Sequence, residues 1–175
     1  MIALRLAATL RSSFALMVAC VAANSVAAST AAAQDSGIEV GKMAPAAAMQ
    51  TLDGKPVDLS EFIAKGPVLL EFWAVWCPNC AELEPTMKAM HAKYGTKVAF
   101  VGVAVSVNQS PALVKRYVDN HKLTWTQVYD TKGKATDVYD VPATSYVVLI
   151  DKSGKIVYTG VGGKQDIEAV LKKVM

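Results

Sequence analysis

Apolar and polar positions along the chain change rhythm several times, and each change marks a predicted element. Residues 49–59 alternate around Asp53-Gly54, a pair suited to the positive-φ positions of a tight hairpin turn. Ser60 followed by Glu61-Phe62-Ile63-Ala64 predicts a brief helical turn, broken by Gly66-Pro67. Residues 68–73, Val-Leu-Leu-Glu-Phe-Trp, form a nearly continuous apolar run, which predicts a strand buried on both faces. A helix is predicted over 77–94, with Leu83, Met87 and Met90 on its apolar side, a kink at Pro85 and a stop at Gly95. Residues 98–105 read as a second buried strand. Ser110 and Pro111 supply an N-cap and a first helical position for a helix reaching about residue 121. A short strand over 124–129 and a short helix over 134–140 follow. Residues 145–150 and 156–159 flank an Asp-Lys-Ser-Gly turn and should pair antiparallel, and residues 166–174 close the chain as an amphipathic helix. Strands alternating with helices, then a hairpin and a helix, predict an α/β fold with a mixed central sheet covered by helices on both faces.

The first 33 residues follow another rule. Arg5 and Arg11 are their only charges, an apolar segment spans 14–23, and small residues run to Ala31-Ala32-Ala33. That order is expected of a secretory signal peptide, cleaved after Ala33 or, as second choice, after Ala28. Two alternatives stay open: residues 12–33 as an uncleaved anchor, and acylation at Cys20 as in a bacterial lipoprotein. All three place the domain, residues 34–175, outside the cytoplasm.

Composition changes the picture only once this segment is set aside. The chain is 53% hydrophobic with a formal charge of +3, and the 142 residues after position 33 carry 16 basic and 15 acidic side chains. A near-neutral domain of ordinary size has no basic face for nucleic acid, and its distributed apolar content excludes disorder. Three cysteines are too few for a disulfide-stapled scaffold.

Two of those cysteines carry the chemistry. Cys77 and Cys80 stand two residues apart, directly after a buried strand and at the start of a helix. Free backbone N–H groups and the dipole at a helix N-terminus stabilise a thiolate, so the first thiol becomes a nucleophile near neutral pH. The spacing lets the second sulfur resolve a mixed disulfide. Pro78 removes one possible donor beside Cys77 and suits the helix start, while Asn79 has no assigned role. A zinc site is the alternative, but His91 lies about three turns along the same helix and His121 at the far end of another. A structural disulfide closing so small a loop would add little stability. No metal and no cofactor is expected.

The segment 68–80, ending Trp73-Ala74-Val75-Trp76-Cys77-Pro78-Asn79-Cys80, resembles the active-site segment of thioredoxin-fold proteins. The lead-in from Met43-Ala44-Pro45 to Asp53-Gly54-Lys55-Pro56, and the stretch 139–151, are similar to TlpA/ResA-type extracytoplasmic thiol–disulfide oxidoreductases. The resemblance covers about residues 38–174. It implies a thioredoxin fold with an N-terminal hairpin extension. It also implies a cis-proline at Pro142 opposite the cysteine pair, with the backbone of Val141 free to pair with a client chain and the loop keeping metals off the thiolates. Glu71 interrupts an apolar strand, where burial should raise its pKa. Standing six residues before Cys77, it takes the place of the buried acid of thioredoxins, which implies a proton acceptor for Cys80; a carboxylate at a strand edge reaching water is the alternative. ResA-like members carry an acid three residues after the second cysteine, where this chain has Leu83. Glu82 and Glu84 flank that position, and helical geometry is expected to turn them to other faces. Trp76 is expected to border the substrate surface, and Trp73, Trp125, Tyr129, Met87 and Met90 to be packing residues.

Together these readings predict a monomeric enzyme that reduces protein disulfides outside the cytoplasm. Cys77 attacks, Cys80 resolves and Glu71 handles the proton. Its clients would be protein disulfides, in cytochrome c maturation or a similar pathway, and its electrons would come from a membrane relay. The alternatives are an oxidant or isomerase on the same fold, and a non-enzymatic module holding a client or metal at the cysteine pair.

Overall fold

The computed structural model describes residues 37–175. The signal-peptide reading, both cleavage positions and Cys20 lie outside the described residues. After a lead-in, β1 (Ala48–Thr51) and β2 (Pro56–Asp58) form the expected hairpin. Its turn differs from the expectation. The connection runs from Leu52 to Lys55, and Gly54 (φ 81°) rather than the Asp53-Gly54 pair carries the positive φ. The longer loop needs only one left-handed residue.

α1 (Ser60–Ile63) precedes β3 (Val68–Trp73), and α2 (Pro78–Tyr94) follows it. Then come β4 (Ala99–Val105), α3 (Pro111–His121), β5 (Thr126–Asp130) and α4 (Lys134–Val138). β6 (Tyr146–Ile150), β7 (Ile156–Val161) and α5 (Ile167–Leu171) complete the order. The seven strands form one sheet, β2-β1-β5-β4-β3-β6-β7. β3 lies parallel to β4 and antiparallel to β6, so the sheet is mixed as the element order predicts.

Every residue of β3 is buried, which explains its unbroken apolar run. Strand pleating sends Val68, Leu70 and Phe72 to one face and Leu69, Glu71 and Trp73 to the other. On the first face the Phe72 ring packs against Tyr139, at the end of α4, and against Tyr146, with centroids 5.5 and 6.1 Å apart. The second face meets α2 and α3. Leu83 and Met87 of α2 are fully buried, whereas Met90 is only partly so. Removing each such side chain from water stabilises the fold by about 1.5–3 kcal/mol. α2 runs unbroken through Pro85. Ser110 caps α3 by accepting the Leu113 N–H at 3.3 Å, as its position in the sequence predicts.

α5 ends at Leu171, earlier than expected. Asp166 caps it by accepting the Ala169 N–H at 3.0 Å, and Glu168 ties it to α2 through Lys93 (2.7 Å) and the Tyr94 hydroxyl (3.0 Å).

Candidate active site

β3 ends at Trp73, and the chain then turns through Ala74–Trp76 to deliver Cys77 as the N-cap of α2. Pro78 occupies the first helical turn, where a missing N–H costs nothing. Cys77 and Cys80 are joined by a disulfide with their Cα atoms 5.3 Å apart, and both residues are buried. The Cys80 N–H points at the Cys77 sulfur, 3.1 Å away. That donor belongs to the first turn of a 17-residue helix, whose dipole favours negative charge at its N-terminus. Pro78 and Asn79 are exposed above the pair. Trp76, the residue before Cys77, is 46% exposed and its indole N–H donates to the Val107 carbonyl at 2.8 Å, so it offers a solvent-facing apolar surface.

Beneath the disulfide lies Glu71, 5% exposed. It is not at a strand edge, because β3 is paired on both sides, with Glu71 opposite Gly102 of β4 and Val147 of β6. Burial, followed by the charge of Glu84, pushes its carboxyl up to about 8. Glu71 and Cys80 line one small cavity, together with Trp73, Glu84, Tyr117, Leu123, Trp125 and Gln127. Its size suits about one water molecule. The Trp125 indole N–H and the Gln127 amide nitrogen, both buried in residues lining it, have no hydrogen-bond partner among the described residues.

A glycine makes room for the Gln127 side chain that lines this cavity. Gly102 sits in register between Glu71 on β3 and Gln127 on β5, on one row across three strands. A Cβ at Gly102 would overlap the Gln127 carboxamide. Glycine in a buried strand thus marks a close approach rather than a weak spot. The Gln127 Oε1 in turn accepts the Trp73 indole N–H at 3.0 Å. Gly102→Val is expected to overpack this row and destabilise the protein by about 1–3 kcal/mol. Urea unfolding of the oxidised variant checks this, and an unchanged midpoint contradicts it.

One helix residue is corrected. Glu84 does not turn away from the site: it stands four residues after Cys80, one helical turn on, and lines the same cavity. Its carboxylate takes Lys88 at 2.7 Å, the Tyr117 hydroxyl at 2.9 Å and His121 Nδ1 at 2.9 Å. Burial pushes the Glu84 carboxyl up, but the hydrogen bonds from Lys88, His121 and Tyr117 outweigh it and hold it below the ordinary value. The i,i+4 spacing from Cys80 was the available signal; the partners on α3 had none.

The Pro142 loop is corrected as well. The described residues contain no cis peptide bond, so Val141–Pro142 is trans. The loop instead turns at left-handed Asp140 (φ 46°) and Ser145 (φ 64°), leaving the X–Pro bond in the form favoured by about 0.5–1 kcal/mol. The Val141 N–H is not free for a client chain, because it donates to the Thr136 carbonyl at 3.1 Å. The loop nonetheless ends at the cysteine side of the sheet. The Ser145 N–H donates to the Phe72 carbonyl at 2.8 Å, and Tyr146 is in register with Phe72.

Gly163, between β7 and α5, also reaches the site: a Cβ there would meet Glu82 and come within 2.9 Å of the Asn79 carbonyl. Among the described residues no group of three or more His, Cys, Asp or Glu side chains is placed to hold a metal.

Residues 39–174 match the family model described as Redoxin. The chain belongs to the Redoxin family. Among Redoxin relatives, the thiol-disulfide oxidoreductase ResA of Bacillus thuringiensis subsp. konkukian is 32% identical, the match covering 78% of this chain and 79% of ResA. The thioredoxin-like protein YneN of Bacillus subtilis is 34% identical over 77% of this chain and 80% of its own. Among solved structures, a thiol:disulfide interchange protein from a Bacteroides species superposes with a TM-score of 0.67 at 28% identity, covering 78% of this chain and 91% of that one. The thioredoxin fold with an added hairpin is therefore the architecture of this Redoxin domain.

Proposed function

We propose that the protein is a thiol–disulfide oxidoreductase that reduces protein disulfides outside the cytoplasm. The observation that carries this reading is the Cys77–Cys80 disulfide at the N-terminus of α2, with Cys80 sharing a cavity with the buried Glu71 carboxyl. In the reduced protein Cys77 attacks a client disulfide as a thiolate, held by the Cys80 N–H and the helix dipole. The client's first sulfur leaves with the electron pair, and Cys77 is joined to the second. Cys80 then loses its proton to Glu71 and attacks the Cys77 sulfur, and the client leaves as a thiolate. In the opposite half-cycle a dithiol attacks the Cys77 sulfur and opens Cys77–Cys80, and protonated Glu71 gives a proton to the departing Cys80 sulfur. A carboxyl with its pKa near 8 can serve in both directions around neutral pH.

Trp76 and the loop carrying Pro142 frame the client surface. The kinship with the thiol-disulfide oxidoreductase ResA supports exchange between thiols and disulfides; the clients in this reading are protein disulfides, in cytochrome c maturation or a similar pathway. Residues 1–33 direct export, and because free reductant is scarce outside the cytoplasm, a membrane electron relay re-reduces the pair. The enzyme works as a monomer. Reduction of insulin by dithiothreitol tests the activity: acceleration at catalytic amounts of protein is expected, and none is the contrary result.

A further inference from the structure

Glu84 is placed unlike an ordinary helix-surface glutamate. Its side chain is only 13% exposed and is gripped from two helices, by Lys88 of α2 and by Tyr117 and His121 of α3. An exposed i,i+4 pair with Lys88 is worth about 0.3–0.5 kcal/mol and requires none of this. The Tyr117 ring stacks on the His121 imidazole with centroids 3.7 Å apart, fixing Nδ1 against the carboxylate. Burial, then Glu84, pushes the Tyr117 hydroxyl up to about 12, so it stays a donor.

These groups form a graded series. Cys80 and Glu71 are buried, Glu84 shares their cavity while nearly covered, and the His121 side chain is 41% exposed. Glu71 can take the Cys80 proton only as a carboxylate, and burial and the like charge of Glu84 both favour keeping a proton on it, so a way out to solvent is needed before each closure. We propose that Glu84 and His121 form the exit path by which the proton released at Cys80 reaches solvent. The inference rests on the reading of Cys77 and Cys80 as a cycling pair with Glu71 as first acceptor. The polar groups facing the cavity are Glu71 and Trp73 from β3, Cys80 and Glu84 from α2, Tyr117 from α3, and Trp125 and Gln127 from the β5 side; of these only Cys80, Glu71 and Glu84 exchange the proton.

In the closing step the Cys80 S–H bond breaks and the Cys80–Cys77 bond forms. The bond from Cys77 to the client sulfur breaks, and that sulfur leaves with the electron pair. One proton is left at Glu71. Glu84 takes it across the cavity and hands it to His121 at Nδ1, which faces the carboxylate, and Nε2 releases a proton to water, so that Glu84 and His121 end as they began and Glu71 is ready for the next closure.

The test is single-turnover oxidation of the reduced protein by excess oxidised glutathione, followed through Trp fluorescence in dilute and concentrated imidazole. In Glu84→Gln and His121→Gln the closing step should slow about tenfold, well short of the 10²–10⁴ for loss of a direct base. Most of the rate should return as imidazole rises, while the wild type ignores the buffer. A wild-type rate in both variants, or a slow rate that imidazole does not restore, overturns the inference; the second outcome marks a structural role. If Glu84→Gln does not fold, His121→Gln, at an exposed position, decides alone. Glu71→Gln run alongside separates the two readings. Slow closure in Glu71→Gln beside wild-type behaviour in the other two overturns the exit path alone. Wild-type closure in Glu71→Gln beside buffer-rescued loss in the other two removes Glu71 and keeps the path.

Discussion

Cys77→Ser should lower insulin reduction to the rate of dithiothreitol alone. A serine hydroxyl is not ionised near neutral pH, so the first attack on the client is lost rather than slowed. The Cys80 N–H would still find an oxygen acceptor at the N-cap, so the fold should tolerate the change. Cys80→Ser gives the complementary result. Cys77 still attacks, nothing resolves the product, and the protein accumulates as a mixed disulfide with its client, visible as an added mass that dithiothreitol removes. Turnover at the wild-type rate in Cys77→Ser would contradict the enzyme reading and favour a module that only holds clients at this pair.

The second large effect belongs to Glu71. Glu71→Gln keeps the shape of the side chain and removes its proton chemistry, so kcat should fall on the order of 10²-fold with KM little changed. Stability supplies an independent readout. Burial raises the carboxyl from 4.5 to about 8 in the folded protein, so between those values the folded state holds a proton that the unfolded state has lost. Stability contributed by this group therefore falls as pH rises through that window, by about 1.4 kcal/mol per unit, and levels off above it. Glu71→Gln has no such slope, so it should gain on the wild type from pH 5 to pH 8. Urea unfolding of both proteins at those two pH values checks the sign, and a pH-independent difference between them would show that Glu71 does not titrate in this window.

The chain's own pattern made much of this site legible. The run over 68–73 announces a doubly buried strand, Glu71 stands out because nothing else in the run is polar, and the two-residue cysteine spacing at a strand-to-helix junction names the chemistry. The α3 cap was equally readable, because Ser110 acts through a bond to Leu113 three residues on and Pro111 through its own fixed φ. What stayed hidden depends on residues distant in sequence. Glu84 meets His121 across 37 positions, and Gly102 opens space for Gln127 only because β5 docks beside β4. Neither contact leaves a local trace. The Pro142 loop failed differently, since its conformation was carried over from a resemblance, while here Asp140 and Ser145 make the turn.

The most direct test of the central claim is the reduction potential of the Cys77–Cys80 pair, measured by equilibrating the protein with glutathione buffers. A two-electron transition at about −250 mV or lower is expected, in the range of thioredoxin-like reductants. A potential of about −120 to −180 mV would make the protein an oxidant or isomerase, and a pair that does not exchange with glutathione at all would contradict the redox account itself.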